Sequence, residues 1–288
     1  MHGQLGDGSN IDRDNFVQVI PSYAKTVAAG AEHSLVMMQD GSVWTTGFNL
    51  HGQLGDGSTI DRSGFAEVIS GGVEAVAAGG QHSMVLKQDS SLWVTGDNEY
   101  GQLGDGSAHL KSSFVQVISR GAKAVAAGSF HSMVLRIDGS VWVTGKNEYG
   151  QLGDGSTITK HNFEQVMSSE VKAIAVGDEH SIVLKQDGSV WATGSNAFGQ
   201  LGCGSKTYSS KFVQVILGGV RTVAAGGWQS MVLKHDGSLW ATGSNVYGQL
   251  GDGSTFSKST YVRVLLFHDG TFRAQPLRSR ISAYVKLE

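Results

Sequence analysis

The chain has 288 residues, 41 of them glycine and only two proline, with a net charge of −3; this composition describes a turn-rich folded protein and excludes a disordered polyelectrolyte. One cysteine excludes an internal disulfide framework, and no basic stripe marks a nucleic-acid-binding surface. No run approaches the roughly 18 apolar residues of a membrane span, and the N-terminus lacks the basic and apolar regions of a signal peptide. We therefore expect a monomer in the cytoplasm or nucleus, with no membrane or nucleic-acid partner.

A seven-residue motif, Gly-Gln-Leu-Gly-Asp-Gly-Ser, recurs through the chain with a constant period of 49 residues. Its six copies begin at positions 3, 52, 101, 150, 199 and 248, and the only departure is Cys203, which stands where the other copies have Asp. A period that never slips indicates structural repeats without insertions. Because the copies are so alike, we interpret the motif as the joint that spaces the repeats and not as a functional site.

Four short β signals separated by turns make up each repeat. The first, as at 76–79, has small residues and suits an innermost strand. The second, as at 83–87, is apolar at consecutive positions, which is typical of a strand covered on both faces. An Asp-Gly pair such as Asp40-Gly41 follows and predicts a hairpin with both turn residues at positive φ. Copy two has Ser90 at the second position, so its turn should be strained.

The third β signal contains a tryptophan in every complete copy. We interpret these side chains as structural, because the sheets of a propeller need large groups between them: Trp44, Trp93, Trp142, Trp191 and Trp240. The fourth signal, as at 114–118, comes after the seven-residue motif and completes the repeat.

Four strands every 49 residues, with no sustained helical period, predict an all-β protein, a β-propeller of four-stranded blades. Six periods favour six blades: five complete, and one composite built from a strand at 16–20 and residues near the C-terminus. Seven blades are the alternative if the chain is a fragment. We expect one domain over residues 1–274, with 275–288 as an off-repeat tail and candidate closing strand.

Three sequences within each repeat resemble the regulator of chromosome condensation repeat. As they stand at 128–153, they are Gly-x-x-His-Ser-x-Val-Leu, Asp-Gly-Ser-Val-Trp-x-x-Gly and Asn-x-Tyr-Gly-Gln-Leu-Gly. The resemblance spans about 3–274 and implies a β-propeller. Members of that family include an exchange factor for the Ran-type small GTPase, substrate-binding modules of ubiquitin ligases, ultraviolet photoreceptors and bacterial inhibitors of β-lactamase. Fold alone does not choose among these activities.

Two repeated features invite catalytic or metal chemistry, and both have simpler explanations. Histidines recur at the period, with Gln229 in the fifth place: His33, His82, His131 and His180. Ligands of a zinc ion must lie about 2.1 Å from it, whereas groups related by blade rotation converge only at the axis, so we expect each His to bond backbone groups in its own blade. The seven-residue motif lacks the Lys of a phosphate-binding loop. We predict no catalytic residue, metal or cofactor.

Positions that differ between copies are the candidates for function. One set precedes each periodic His or Gln: Glu32, Gln81, Phe130, Glu179 and Trp228. A second set follows the seven-residue motif: Arg62, Lys111, Lys160 and Tyr208. Phe130 and Trp228 are large apolar groups in a turn, which is typical of interface anchors.

These positions predict a non-enzymatic scaffold that binds a protein partner through its variable loops. Two alternatives stay open. The first is nucleotide exchange on a small GTPase, which the resemblance implies, although no basic tail or blade insertion accompanies the repeats. The second is inhibition of an enzyme.

Overall fold

The structure is a computed structural model that describes residues 2–264. Within that range the chain forms 20 strands in five four-stranded antiparallel sheets. Each sheet takes its strands in chain order, from the first to the fourth. The prediction of an all-β protein with five complete four-stranded blades is confirmed. A search of the same residues finds no helix that could cross a membrane.

Three blades lie in the first of two compact units, which comprises Met1–Asn147 and Ile158–Ser169. Blade 1 is β1 (Ala24–Ala29), β2 (His33–Met38), β3 (Val43–Gly47) and β4 (Arg62–Ile69). Blade 2 is β5 (Val73–Ala78), β6 (His82–Lys87), β7 (Leu92–Gly96) and β8 (Lys111–Ile118). Blade 3 is β9 (Ala122–Ala127), β10 (His131–Arg136), β11 (Val141–Gly145) and β12 (Lys160–Met167).

The described part of the second unit comprises Glu148–Thr157 and residues 170–264, and it contains two blades. Blade 4 is β13 (Val171–Val176), β14 (His180–Lys185), β15 (Val190–Gly194) and β16 (Ser209–Ile216). Blade 5 is β17 (Val220–Gly226), β18 (Gln229–Lys234), β19 (Leu239–Gly243) and β20 (Lys258–Arg263).

The second strand of each blade forms the centre of the core. In β6 the consecutive residues Met84, Val85 and Leu86 are at most 1% exposed, so the strand is covered on both faces as its unbroken apolar run predicts. Burying each such side chain contributes about 1.5–3 kcal/mol to the free energy of unfolding. The first strands β1, β5 and β9 of the first unit lie next to one another, which explains why small residues dominate them.

The Asp-Gly turns differ from the predicted hairpin type. Gly41 has a φ of 81°, whereas Asp40 does not have positive φ. The Gly41 amide donates to the Met38 carbonyl at 3.0 Å, and the Met38 amide donates to the Ser42 carbonyl at 2.9 Å. The connection is therefore a three-residue loop with only its glycine in the left-handed region. Ser90, at the equivalent position in blade 2, has a φ of 64°, so the prediction of strain there is confirmed.

The repeated tryptophans, which the sequence predicts to lie between the sheets, are half-buried. In blade 2 the Trp93 side chain packs against the core formed between blades 1 and 2, and Lys87 Nζ lies 4.3 Å from the centre of the ring. The Trp93 indole N–H donates to Ser91 Oγ at 3.0 Å. Trp93 thus combines a contact with the core and a contact with a lysine, and the structural role of the five tryptophans stays a prediction.

The strand predicted at 16–20 is absent, and that prediction is wrong. Residues 8–23 contain no strand, and Phe16 is fully exposed. A strand requires a partner for its backbone groups, and the partner expected here, within 265–274, lies outside the described residues. The tail at 275–288 also lies outside them. The C-terminal part of the composite sixth blade and the single domain over 1–274 stay predictions.

Candidate protein-interaction surface

Strand register brings both variable sets to the same end of each blade. In blade 2, His82 is paired with Gly96, and Gly96 with Lys111. Gln81, directly before His82, therefore lies at the same end as Lys111. We call this the loop end of a blade. The Asp-Gly turns lie at the opposite end, because they connect the other ends of the same strands.

The seven-residue motif is a joint between consecutive blades, as the sequence analysis predicts. The Gly57 amide at the end of blade 1's motif donates to the Ser112 carbonyl of β8 in blade 2 at 2.8 Å. Thr95 Oγ1 of blade 2 donates to the Gly52 carbonyl at 2.9 Å. At Gly55, which has a φ of 72°, an added Cβ would overlap the ring of Phe114. Glycine is therefore required at this position both for space and for conformation.

The motif aspartate organises its own loop. In blade 5, Asp252 Oδ1 accepts the Ser254 amide at 2.9 Å and the Asn245 amide group at 3.0 Å. Partial burial opposes ionisation of this carboxyl, but those hydrogen bonds and the ammonium of Lys258 lower its pKa to about 2. The aspartate is therefore charged at neutral pH.

Two cations of the second variable set pair with a motif aspartate, and the third pairs within its own strand. Arg62 Nε lies 2.5 Å from Asp56 Oδ2, and Lys111 Nζ lies 3.1 Å from Asp105 Oδ2. Lys160 Nζ lies 3.0 Å from Glu164. Because these three residues have partners within the chain, they are weaker candidates for partner binding than the sequence analysis suggests. Tyr208, at the equivalent loop of blade 4, is 52% exposed.

Blade 4 has lost both members of this ion pair. Cys203 replaces the motif aspartate, and Ser209 stands where other blades have Arg or Lys. The Cys203 thiol is exposed, and its Sγ lies 3.3 Å from Ser205 Oγ. The joint therefore keeps its shape through neutral hydrogen bonds at this position.

The periodic histidines bond the next blade and not their own, which corrects the prediction. His82 Nε2 lies 2.9 Å from Ser132 Oγ of blade 3, and that hydroxyl donates to the Gln102 carbonyl at 2.7 Å. Because the hydroxyl's proton is committed to the carbonyl, His82 Nε2 must be the donor to the serine oxygen. The same arrangement joins His33 to Ser83, and His180 to Ser230, each at 2.9 Å.

These histidines are buried and uncharged at neutral pH. Burial lowers the pKa of His33 and of His180 to about 4, and burial together with the neighbouring histidines lowers that of His82 to about 3. His131 is buried at the same position in blade 3. Within residues 2–264, no group of three or more His, Cys, Asp or Glu side chains is placed to hold a metal ion.

The first variable set lies at the loop end, and its polar members are half-buried. The backbone carbonyls of Glu32, Gln81 and Glu179 each accept an amide from the residue that follows the third strand of their blade, at 2.8 Å. These main-chain bonds keep the loop in place whatever the side chain. The position can therefore vary between blades without disturbing the fold.

Aromatic side chains at the loop end pack in pairs. Phe130 packs edge-on against Tyr100, with ring centres 5.4 Å apart. Trp228 stacks on Phe198, with ring centres 5.2 Å apart and an angle of 26° between the planes, and it is 47% exposed. Sequence reasoning found Phe130 and Trp228 but missed the partner position, directly before each motif. An aromatic residue or histidine occupies it in all six copies: His2, His51, Tyr100, Tyr149, Phe198 and Tyr247.

Four-stranded blades joined through the seven-residue motif define a repeat protein of the β-propeller class. The chain belongs to the RCC1-like domain family, which its sequence matches over residues 1–281. No curated protein sequence matches the chain.

Solved structures share the fold at low sequence identity. Human WBSCR16 is 23% identical with a TM-score of 0.76, covering 84% of this chain and 67% of its own. Prp20p from Saccharomyces cerevisiae is 20% identical with a TM-score of 0.73, and the match covers 84% of this chain and 63% of Prp20p. Yeast RCC1 (Prp20) bound to Kap60 is 21% identical with a TM-score of 0.71, and the match covers 90% of this chain and 62% of the yeast chain. The chain thus spans about two thirds of the length of these proteins.

Proposed function

We propose that this protein is a non-enzymatic scaffold that binds a protein partner through the loop ends of its blades, with Phe130 and Trp228 as anchors. The observation that carries the proposal is the 47% exposure of Trp228 in a stacked aromatic pair. Tryptophan is enriched among the residues that dominate binding energy at protein interfaces. A large indole held rigid by a neighbouring ring loses little conformational entropy when a partner covers it.

Proteins of the same fold support a protein as the partner. The structure of Prp20p was reported together with its binding to Gsp1p and histones, and yeast RCC1 (Prp20) has been solved bound to Kap60. The variable residues of each blade lie on loops held by constant backbone bonds. Such a scaffold allows the binding surface to change while the strands stay the same.

The test is recovery of partners from a lysate by the wild-type protein and by the double variant Phe130→Ala, Trp228→Ala. We expect the variant to lose partners that the wild type retains. The matched control is Ile137→Ala, Leu217→Ala, which removes side chains that are 64% and 85% exposed at the opposite ends of blades 3 and 4. Thermal melting confirms that both variants fold. Equal recovery by all three proteins would remove the site assignment.

A second candidate function is nucleotide exchange on a small GTPase. It is favoured by the likeness in fold to Prp20p, with its reported binding to Gsp1p. The test is release of labelled GDP from a small GTPase in the presence of the protein. Acceleration supports this function, and an unchanged rate at micromolar protein rejects it for that GTPase.

A further inference from the structure

Two aromatic pairs occupy equivalent positions at the loop ends of different blades. Phe198 follows Tyr100 by 98 residues, two full periods, and Trp228 follows Phe130 by the same interval. Both pairs are in ring contact, at 5.4 Å in the first unit and 5.2 Å in the second. The groups around the two pairs can therefore be compared position by position, to find what each ring pair lacks or has gained.

The pair in the first unit is covered by a cation of the chain itself. Lys146 Nζ lies 5.4 Å from the ring centre of Tyr100 and 5.7 Å from that of Phe130. Both distances fall within the range of about 6 Å over which an ammonium group is attracted to an aromatic face. With the lysine in place, Phe130 is half-buried.

The pair in the second unit lacks that cation. The residue two periods after Lys146 is Ser244, which is 3% exposed and accepts from Gln249 Nε2 at 3.4 Å. Trp228 is correspondingly 47% exposed. The pair thus keeps both rings and lacks the charged group that covers their counterparts.

An acidic residue is bonded through its backbone to the loop that carries Trp228. Asp178 stands two periods after Gly80, so a carboxylate replaces a hydrogen at this position. The Asp178 amide donates to the carbonyl of Gly227, the residue before Trp228, at 3.0 Å. Ala197 replaces Glu99, the residue before Tyr100, so a negative charge is also lost beside the second pair. The ring faces that the missing lysine leaves uncovered are what favour a cation here.

We propose that the Phe198–Trp228 pair binds a lysine or arginine side chain from the protein partner, in the position that Lys146 takes over Tyr100 and Phe130. This inference rests on the proposed function, because it names the chemistry of the partner segment that the loop end of blade 5 recognises. A basic segment fits better than an apolar one, since Asp178 would oppose burial under an apolar partner.

The experiment is a titration of the full chain labelled with 5-fluorotryptophan, followed by fluorine NMR. The Trp228→Phe variant assigns the Trp228 signal. The probes are blocked Gly-Lys-Gly and Gly-Arg-Gly peptides, and the control is the blocked Gly-norleucine-Gly peptide, which has a similar alkyl chain but no charge. We expect a saturable shift of the Trp228 signal with both cationic peptides, and binding at least about fivefold tighter than for norleucine.

Two variants at one position sharpen the test. Ser244→Lys should fill the site from within and weaken binding of the lysine peptide by about tenfold, whereas Ser244→Asp should preserve or tighten it. Lys146 and Asp97 occupy the equivalent position in blades 3 and 2, so the blade accommodates both side chains. Unaltered binding to the Ser244→Lys variant would overturn the proposal, as would equal binding of the norleucine peptide or no shift of the Trp228 signal.

The two proposals fail in different ways. If the scaffold function is wrong, partner recovery is the same for wild type and the Phe130→Ala, Trp228→Ala variant. If only the cation site is wrong, recovery still depends on those residues, but the cationic peptides have no advantage over norleucine.

Discussion

The buried histidines couple the stability of the blades to pH. Above pH 6.5 they are neutral in both the folded and the unfolded chain, and their contribution to stability is complete. Between pH 6.5 and about 4 the unfolded chain binds protons that folded His33 and His180 do not. We therefore expect the free energy of unfolding to fall by up to roughly 1.4 kcal/mol per pH unit for each such histidine.

Urea unfolding between pH 7.5 and 5 measures this dependence. The window lies above the ordinary pKa of 3.8 for the aspartates, so their titration does not contribute strongly. The matched control is His82→Gln, since Gln229 occupies the same position in blade 5. The variant should show a shallower pH slope. A slope equal to that of the wild type would contradict the assignment of a buried neutral imidazole at residue 82.

The hydrogen bonds of the periodic histidines could be predicted only in part from the sequence. The period identified the histidines and predicted their structural role, but it assigned their hydrogen bonds to the wrong blade. His82 and Ser132 are 50 residues apart, slightly more than one period. A contact of that length depends on how neighbouring blades pack, and a pattern within one repeat does not contain this information.

At the scale of elements, the glycines of the motif serve different purposes, and two substitutions separate them. Gly55 and Gly57 have φ values of 72° and 83°. An added Cβ would overlap the Phe114 ring at Gly55, but at Gly57 it would meet only Ser113 Oγ at 3.6 Å. We expect Gly57→Ala to cost about 1–2 kcal/mol of backbone strain, and Gly55→Ala to cost at least about 1–3 kcal/mol more through overpacking.

Thermal or urea unfolding of the two variants measures that difference directly. Gly57→Ala serves as the control, because it introduces the same methyl group at a similar backbone conformation. Equal destabilisation by the two substitutions would show that the Phe114 ring moves aside, and that the joint between blades 1 and 2 is not closely packed at Gly55.

The positions of the strands were predicted correctly from the sequence, whereas the type of the turns and the aromatic contacts were not. The consecutive apolar residues of the second strands and the 49-residue period located the strands of all five blades. The turn type was wrong because Asp40 accepts the Ser42 amide at 2.9 Å and thereby stabilises a three-residue loop, which a two-residue hairpin signal does not reveal. The aromatic partners Tyr100 and Phe198 were missed because their constancy made them look like part of the motif.

At the scale of the whole molecule, the fold was predicted from the repeats, whereas the candidate site was only partly predicted. Variation between copies pointed to the loop ends. It did not distinguish Arg62, whose charge is used in the joint, from Trp228, whose ring is exposed. That distinction depends on the side chains that surround each residue: Asp56 of the same repeat pairs with Arg62, whereas Phe198 of the neighbouring repeat packs on one face of Trp228.

The serine that follows each histidine gives the repeats a direction. Ser83 of blade 2 accepts a hydrogen bond from His33 and donates one to the Gln53 carbonyl, so two groups of blade 1 meet one group of blade 2. Each 49-residue unit therefore encodes a serine hydroxyl for the unit before it, and a histidine donor and a carbonyl acceptor for the unit after it. A gene duplication that copied one such unit would supply both halves of every new joint. Selection could then change the loop end of that copy alone, which is how Trp228 and Glu179 could come to differ while their blades stay alike.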